Sequence, residues 1–287
     1  MKAPFPYYGG KSGMASKIAG MFPPHRVYIE PFFGSGAVLF AKTPATHEIV
    51  NDLDGAVVAF FRCLRDRRDE LTEACMLTPY ARDEFDAADL DVEDLDDLEV
   101  ARRFWVRVNN SFSQTAGRQT GWSVTTARTQ SKPASVLGRI GRLEACADRL
   151  LRVSIEHCNA ADLVRRLATP DAVVYADPPY LADTRRSRRA GSACADYRVD
   201  MGDTGAHEDL LDALTSTVAT VFLSGYHSDL YDDALDGWHR IEWSTHAYGS
   251  NAVTTERGKR TEVLWSNRQL SEERTLFDEI ADVEVSR

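Results

Sequence analysis

Between Val27 and Asp52 the chain alternates strand and helix around a glycine turn, an order that few folds accommodate. Val27-Tyr28-Ile29 reads as a strand, Gly34 and Gly36 as a Gly-x-Gly turn, and Ala37 to Lys42 as the opening of a helix. Glu48-Ile49-Val50 reads as a second strand ending at Asn51-Asp52, and a helix through Val57, Phe60, Phe61 and Leu64 follows. This is the order of a nucleotide-binding α/β half. Glycines at such a turn let a ligand approach the backbone, the helix start offers free N–H groups, and an acid closing the second strand can accept from both ribose hydroxyls. A turn of purely structural use has the same Gly-x-Gly. The third glycine of a dinucleotide fingerprint is missing, its place taken by Leu39, which counts against a dinucleotide.

A second constraint lies at Asp177-Pro178-Pro179-Tyr180, after the apolar run Val173-Val174-Tyr175-Ala176. The run reads as a buried strand that delivers the tetrapeptide at its C-terminal end, where open α/β sheets place their ligands. The Pro-Pro step holds the chain extended and adds no competing donor. Asp177 and the Pro178 carbonyl supply two acceptors, and Tyr180 a face on which a planar base can stack. That set suits an exocyclic amine on a nucleobase, a poor nucleophile whose lone pair is delocalised into the ring. Asp-Pro-Pro is also an ordinary way to end a strand.

From about residue 65 to 152 the pattern is helical, with Val100, Phe104 and Val108 on one amphipathic face and Leu137, Ile140, Leu143, Ala147 and Leu150 on another. Between them Ser111 to Pro133 is polar and aperiodic, and it contains Arg118, Gln119, Trp122, Arg128 and Lys132. A loop of that length inside a compact domain is functional or disordered. Strand-like runs resume at Val153-Ser154-Ile155, Val221-Phe222-Leu223 and Val263-Leu264-Trp265, with a helix containing Leu210, Leu211 and Leu214. These 287 residues fit one large α/β domain with an insertion, or two domains.

The net charge of −10 is unevenly spread. Residues 83–99 hold ten acids and no base, whereas 101–152 hold ten Lys or Arg against Glu144 and Asp148. A basic middle flanked by acids is compatible with DNA binding, and equally with two solvated helices of opposite sign. No apolar run approaches the roughly 20 residues of a membrane span, and Met1 to Phe5 lacks the apolar core of a signal peptide. The five cysteines, Cys63, Cys75, Cys146, Cys158 and Cys194, contain no CxxC pair, which speaks against a disulfide framework and a zinc site.

With these motifs in order, the chain resembles the Dam-type DNA adenine-N6 methyltransferases, especially the short phage and prophage forms. Pro6-Tyr7-Tyr8-Gly9-Gly10-Lys11 resembles the family's opening motif, Glu30-Pro31-Phe32-Phe33-Gly34-Ser35-Gly36 its glycine motif, and Asp177 to Tyr180 its catalytic motif. Tyr197, Met201 and His207, Leu223 to Ser228 with Leu230-Tyr231, and Arg260 to Asn267 continue the likeness. The resemblance implies a Rossmann-like α/β fold, helices on both faces of its sheet, with a mostly helical target-recognition insertion. It implies a catalytic domain over 1–64 and 153–270, an insertion over 65–152 and an acidic tail over 271–287. S-adenosylmethionine is the implied cofactor, with Tyr7, Lys11, Glu30, Phe32, Gly34, Gly36, Asp52, Asp162 and Asp177 as its ligands. Asp162 stands where the family reads the cofactor's adenine, although Leu163 replaces a frequent Phe. Asp177, Pro178, Pro179 and Tyr180 are the implied catalytic residues, acting on a flipped adenine in double-stranded DNA without a metal.

Arg118, Gln119, Trp122, Arg128 and Lys132, with Arg185, Arg186, Arg188 and Arg189 after the catalytic motif, are the candidate DNA contacts. Trp122 reads equally as a core residue, the arginine cluster also as a solvated loop, and His207 as a packing or capping histidine rather than a base. Competing functions are an RNA or protein methyltransferase, a cytosine-N4 enzyme, whose motif more often begins with Ser, and a catalytically silent DNA-binding relative. The expected state is a cytoplasmic monomer or weak dimer, with a separate cognate nuclease as a further partner.

Overall fold

A computed structural model describes residues 1–112, 116, 121–124, 131–181, 198–199, 201, 203–246 and 259–269. Seven strands form one sheet: β1 (Val27–Glu30), β2 (His47–Asn51), β3 (Val153–Glu156), β4 (Ala172–Ala176), β5 (Thr220–Gly225), β6 (His239–His246) and β7 (Lys259–Ser266). Their order is β3-β2-β1-β4-β5-β7-β6. The first five are parallel, and β7 joins β5 antiparallel with β6 at the edge.

The helices, in chain order, are α1 (Ala15–Gly20), α2 (Ala37–Ala41), α3 (Gly55–Asp66), α4 (Arg68–Leu77), α5 (Arg82–Ala87), α6 (Asp97–Asn110), α7 (Lys132–Ile140), α8 (Leu143–Leu150), α9 (Ala160–Leu167), α10 (Thr204–Ser216) and α11 (Asp229–Ala234). Because successive strand side chains point to opposite faces, the central strands serve two cores. Tyr28, Tyr175, Phe222 and Leu264 face α1, α2, α3, α6 and α8. Their neighbours Ile29, Val174, Leu223 and Val263 face α9, α10 and α11. The expected α/β architecture is therefore observed, including the helices on both sides.

Six of the seven strands were legible as apolar runs; β6 was not. The apolar face predicted over 137–150 is divided between α7 and α8, with Gly141 and Arg142 at the break. Within residues 65–152, Phe104 and Trp105 of α6 and Leu143 of α8 belong to the main core. Phe85, Ala88 and Val106 form a satellite cluster with Trp122 packed on it.

Much of the positive charge described over 101–152 is engaged inside the chain. Arg149 reaches Glu48 at 2.8 Å, which also holds Lys42 at 2.7 Å, and all three are largely buried. Arg102 and Arg103 bind Glu99, and Arg139 donates to Asn109 at 2.8 Å. The acidic stretch is partly paired too, through Glu84 and Glu99 on Arg102 and Asp91 on Arg198. Cys63, Cys75 and Cys146 are buried thiols and Cys158 is half-buried; Cys194 and the tail after 270 lie outside the described residues.

Candidate active site

Sheet order locates the site. Going from β1 the chain moves outward to β2 and β3; from β4 it moves the opposite way, to β5. The crevice beyond the C-terminal ends of β1 and β4 is the topological switch point at which open α/β sheets bind ligands. A cleft partly open to solvent lies there. Tyr7, Lys11, Glu30, Phe32, Gly34, Asp52, Asp177 and Pro179 all line it, so eight sequence candidates from four separate segments meet at one place.

The β1 end is built from backbone. Gly34 and Gly36 have φ of +48° and +69°, in the left-handed region that glycine tolerates. A Cβ on Gly36 would lie 2.5 Å from the Phe33 ring, and one on Gly34 3.1 Å from the Tyr7 ring. Gly36 caps α2 from just behind the cleft. The Gly34 N–H donates to Asp52 Oδ2 at 2.8 Å, and the Asp54 N–H to Asp52 Oδ1 at 2.9 Å. Each Asp52 oxygen keeps a lone pair for a further donor. Burial pushes the Asp52 carboxyl up to about 6 in spite of those two N–H groups. Glu30, at the end of β1, accepts from the Tyr28 hydroxyl at 2.9 Å, and burial pushes it up to about 8.

Four acids and one lysine are among the lining residues. Such a cleft favours a cation, and the glycine turn with Asp52 favours a ribose. S-adenosylmethionine carries a sulfonium, an ammonium and a ribose diol, so the residues present fit it.

The β4 end is built from side chains. Lys11 is buried and donates to Asp177 Oδ1 and Oδ2 at 2.6 and 2.8 Å, to the Tyr180 hydroxyl at 2.7 Å and to the Gly9 carbonyl at 3.1 Å. Its Nζ also lies 3.0 Å from Glu262 of β7. The Tyr180 hydroxyl donates to that same Glu262 carboxylate. Burial alone would lower the Lys11 ammonium; the two carboxylates outweigh it and hold the proton more tightly than in a free lysine. Burial likewise raises the Asp177 carboxyl, and Lys11 offsets only part of that. Pro178 is buried behind this cluster, and the Tyr180 ring lies 4.3 Å from that of Tyr226, inclined by 56°.

Other candidates fall elsewhere. Asp162 is in the first turn of α9 with its side chain 75% exposed, 3.8 Å from Arg165, and is not among the residues lining the cleft. Trp122 packs with Tyr80 at 5.9 Å and under Arg82 at 4.7 Å, partly buried beside the satellite cluster. Lys132 is the first residue of α7. Arg118, Gln119, Arg128, Arg185, Arg186, Arg188 and Arg189 lie outside the described residues. His207 is buried with Nδ1 2.8 Å from the Tyr231 hydroxyl, which agrees with a packing role. Tyr226 and Glu262 stand inside motifs that give neither a task, and no sequence signal marks Arg198, which binds Asp54 at 2.9 Å beside the cleft-lining Val199.

Residues 7–246 match the family model described as D12 class N6 adenine-specific DNA methyltransferase. The Type II methyltransferase M1.LlaDCHI of Lactococcus lactis subsp. cremoris is 24% identical over 275 residues, spanning 90% of this chain and 93% of that protein. Among solved structures, precorrin 8w decarboxylase of Methanobacterium thermoautotrophicum aligns with 94% of this chain and 100% of its own, at 7% identity and a TM-score of 0.40. The protein yhhF of Escherichia coli aligns with 85% of this chain and 76% of its own, at 11% identity and a TM-score of 0.33. Likeness that distant adds nothing to what the sheet order already states.

Proposed function

Because the chain belongs to the D12 class of N6 adenine-specific DNA methyltransferases, we propose a division of labour along its cleft. The enzyme uses S-adenosylmethionine and methylates adenine N6 in DNA; the tasks of single residues are our reading. Tyr7, Glu30, Phe32, Gly34, Gly36 and Asp52 would hold the cofactor, with Asp52 accepting from the ribose hydroxyls. S-adenosylmethionine supplies, when bound, an electrophilic methyl group on a sulfonium, so neither metal nor covalent enzyme intermediate is needed.

Adenine of double-stranded DNA, rotated out of the duplex at a cost of roughly a few kcal/mol, is the proposed substrate form. Asp177 and the Pro178 carbonyl accept from the two N6 hydrogens and favour the pyramidal amine. Tyr180 stacks on the ring, supported by Tyr226. Fixed dipoles and positioning in a site shielded from water supply most of the acceleration. The nitrogen sheds one proton after it has gained the methyl group, and the buried Asp177 carboxylate, with its raised proton affinity, is the adjacent acceptor.

The single observation that supports this reading is the meeting of Asp177 and Lys11 at the switch point, next to the Gly34–Asp52 turn. The insertion over 65–152 is proposed to read the DNA, and the chain to act in the cytoplasm as a monomer or weak dimer, beside a separate cognate nuclease. The test is incubation with labelled S-adenosylmethionine and unmethylated duplex DNA, followed by nucleoside analysis and mapping of modified bases. N6-methyladenine in a short recurring context is expected. Absence of label from duplex DNA despite demonstrated cofactor binding would overturn the duplex substrate.

A further inference from the structure

The Lys11 ammonium has three N–H donors, yet five oxygens lie within 3.1 Å of it. Two belong to Asp177, one to Tyr180, one to Gly9 and one to Glu262. Such a group can change which oxygens it serves with little movement. With Lys11 astride both Asp177 oxygens, the acceptor capacity that an incoming amine requires is already partly engaged. A second anion within reach of the ammonium draws it off.

Glu262 is that anion. It sits on β7, opposite Trp243 of β6, and is 7% exposed. A buried carboxylate in a strand is costly unless partnered. Among the described residues its polar side-chain partners are Lys11 and Tyr180, one from the opening motif and one from the catalytic motif. Nothing about the packing of β7 requires a charge here, since its neighbours Val263, Leu264 and Trp265 are held by the two apolar cores.

We infer that Glu262 is a positioning residue for methyl transfer: it holds the Lys11 ammonium and the Tyr180 hydroxyl so that the Asp177 carboxylate keeps acceptor capacity for the target amine. The inference rests on the role proposed for Asp177. Without the Glu262 charge, Lys11 pairs with Asp177 alone, which makes that carboxylate a weaker acceptor and a weaker base.

The test is steady-state and single-turnover kinetics of Glu262→Gln and Glu262→Asp, alone and with Lys11→Met, beside cofactor affinity by calorimetry. Glu262→Gln is expected to lower kcat by about tenfold or more while the cofactor Kd stays within about twofold. The acid limb of its pH–kcat profile moves to lower pH, because Asp177 loses a neighbouring negative charge; a merely structural role would not move it. Glu262→Asp, which keeps the charge at shorter reach, recovers part of the loss and keeps the wild-type acid limb. In the Lys11→Met background Glu262→Gln costs much less activity than in the wild type, since only its hold on the Tyr180 hydroxyl is left to lose. An unchanged kcat and acid limb, or an equal further loss in both backgrounds, overturns the inference. If Glu262→Gln fails to fold, Glu262→Asp decides through its cofactor Kd and kcat: intact affinity with reduced kcat supports the role, and unchanged kcat overturns it. A wild-type protein inactive on duplex DNA would instead refute the reading of the substrate.

Discussion

The two ends of the cleft are held by different materials. At the β1 end, backbone N–H groups of Gly34 and Asp54 fix Asp52, and two left-handed glycines bring the rings of Tyr7 and Phe33 against the turn. At the β4 end, Lys11, Asp177, Tyr180 and Glu262 fix one another through side chains, with more acceptors than donors. A backbone cradle has one arrangement and suits a ligand that is the same in every turnover. A side-chain cluster with exchangeable partners suits a base that must enter, react and leave.

Five experiments would break or sharpen that contrast, the first with the largest effect. Asp177→Ala removes the acceptor from the exchangeable end; turnover should fall by about a thousandfold or more while cofactor affinity changes only a few-fold, read by single-turnover kinetics and calorimetry. A comparable loss of cofactor affinity would mean that the two ends are not separate.

Gly36→Ala attacks the cradle. Its φ of +69° and the 2.5 Å approach to Phe33 predict a loss of roughly 1–3 kcal/mol, seen as a lower Tm together with weaker cofactor binding. An unchanged Tm would show that the turn relaxes freely.

Asp52→Asn should weaken the cofactor by about tenfold, or ~1.4 kcal/mol, with little change in kcat at saturation. Asp52 takes up a proton as pH falls through about 6, so wild-type cofactor affinity should drop across that range and the variant's profile should lack the limb. Glu30, raised to about 8 by burial, is protonated in the ligand-free protein at neutral pH. A cation bound beside it should release that proton, measurable as buffer-dependent binding heat. The smallest effect is expected for Tyr226→Leu, which removes the ring beside Tyr180 and should raise the KM for DNA a few-fold, in line with the ~0.5–1.5 kcal/mol of an aromatic pair.

The same contrast explains what the sequence revealed. Backbone devices write themselves locally: the Gly34–Gly36 turn, Asp52 at the end of its strand, and the proline pair after β4 all show in consecutive residues. Partnerships between side chains do not. Tyr180 and Glu262 are 82 residues apart, and nothing near either one announces the other. The edge strand β6 was missed because His239, Arg240, Glu242, Ser244 and His246 leave only Ile241, Trp243 and Thr245 as strand signals. Charge misled in a different way. The basic excess over 101–152 looks available for phosphates, but Arg149 is committed to Glu48 and both Arg102 and Arg103 to Glu99.

Strand order also has a consequence for synthesis. β4 docks against β1 through Val27, Tyr28 and Ile29, yet Ala172 leaves the ribosome long after Glu30. At roughly 5–20 residues per second, the open edge of β1 waits on the order of ten seconds for its neighbour. During that interval β2, and later β3, can pair only on the other side, and an unpaired apolar strand is a template for association with other chains. Nascent chains halted before Ala172 should therefore be aggregation-prone, and those that have emerged beyond β7, which covers the outer edge of β5, should not.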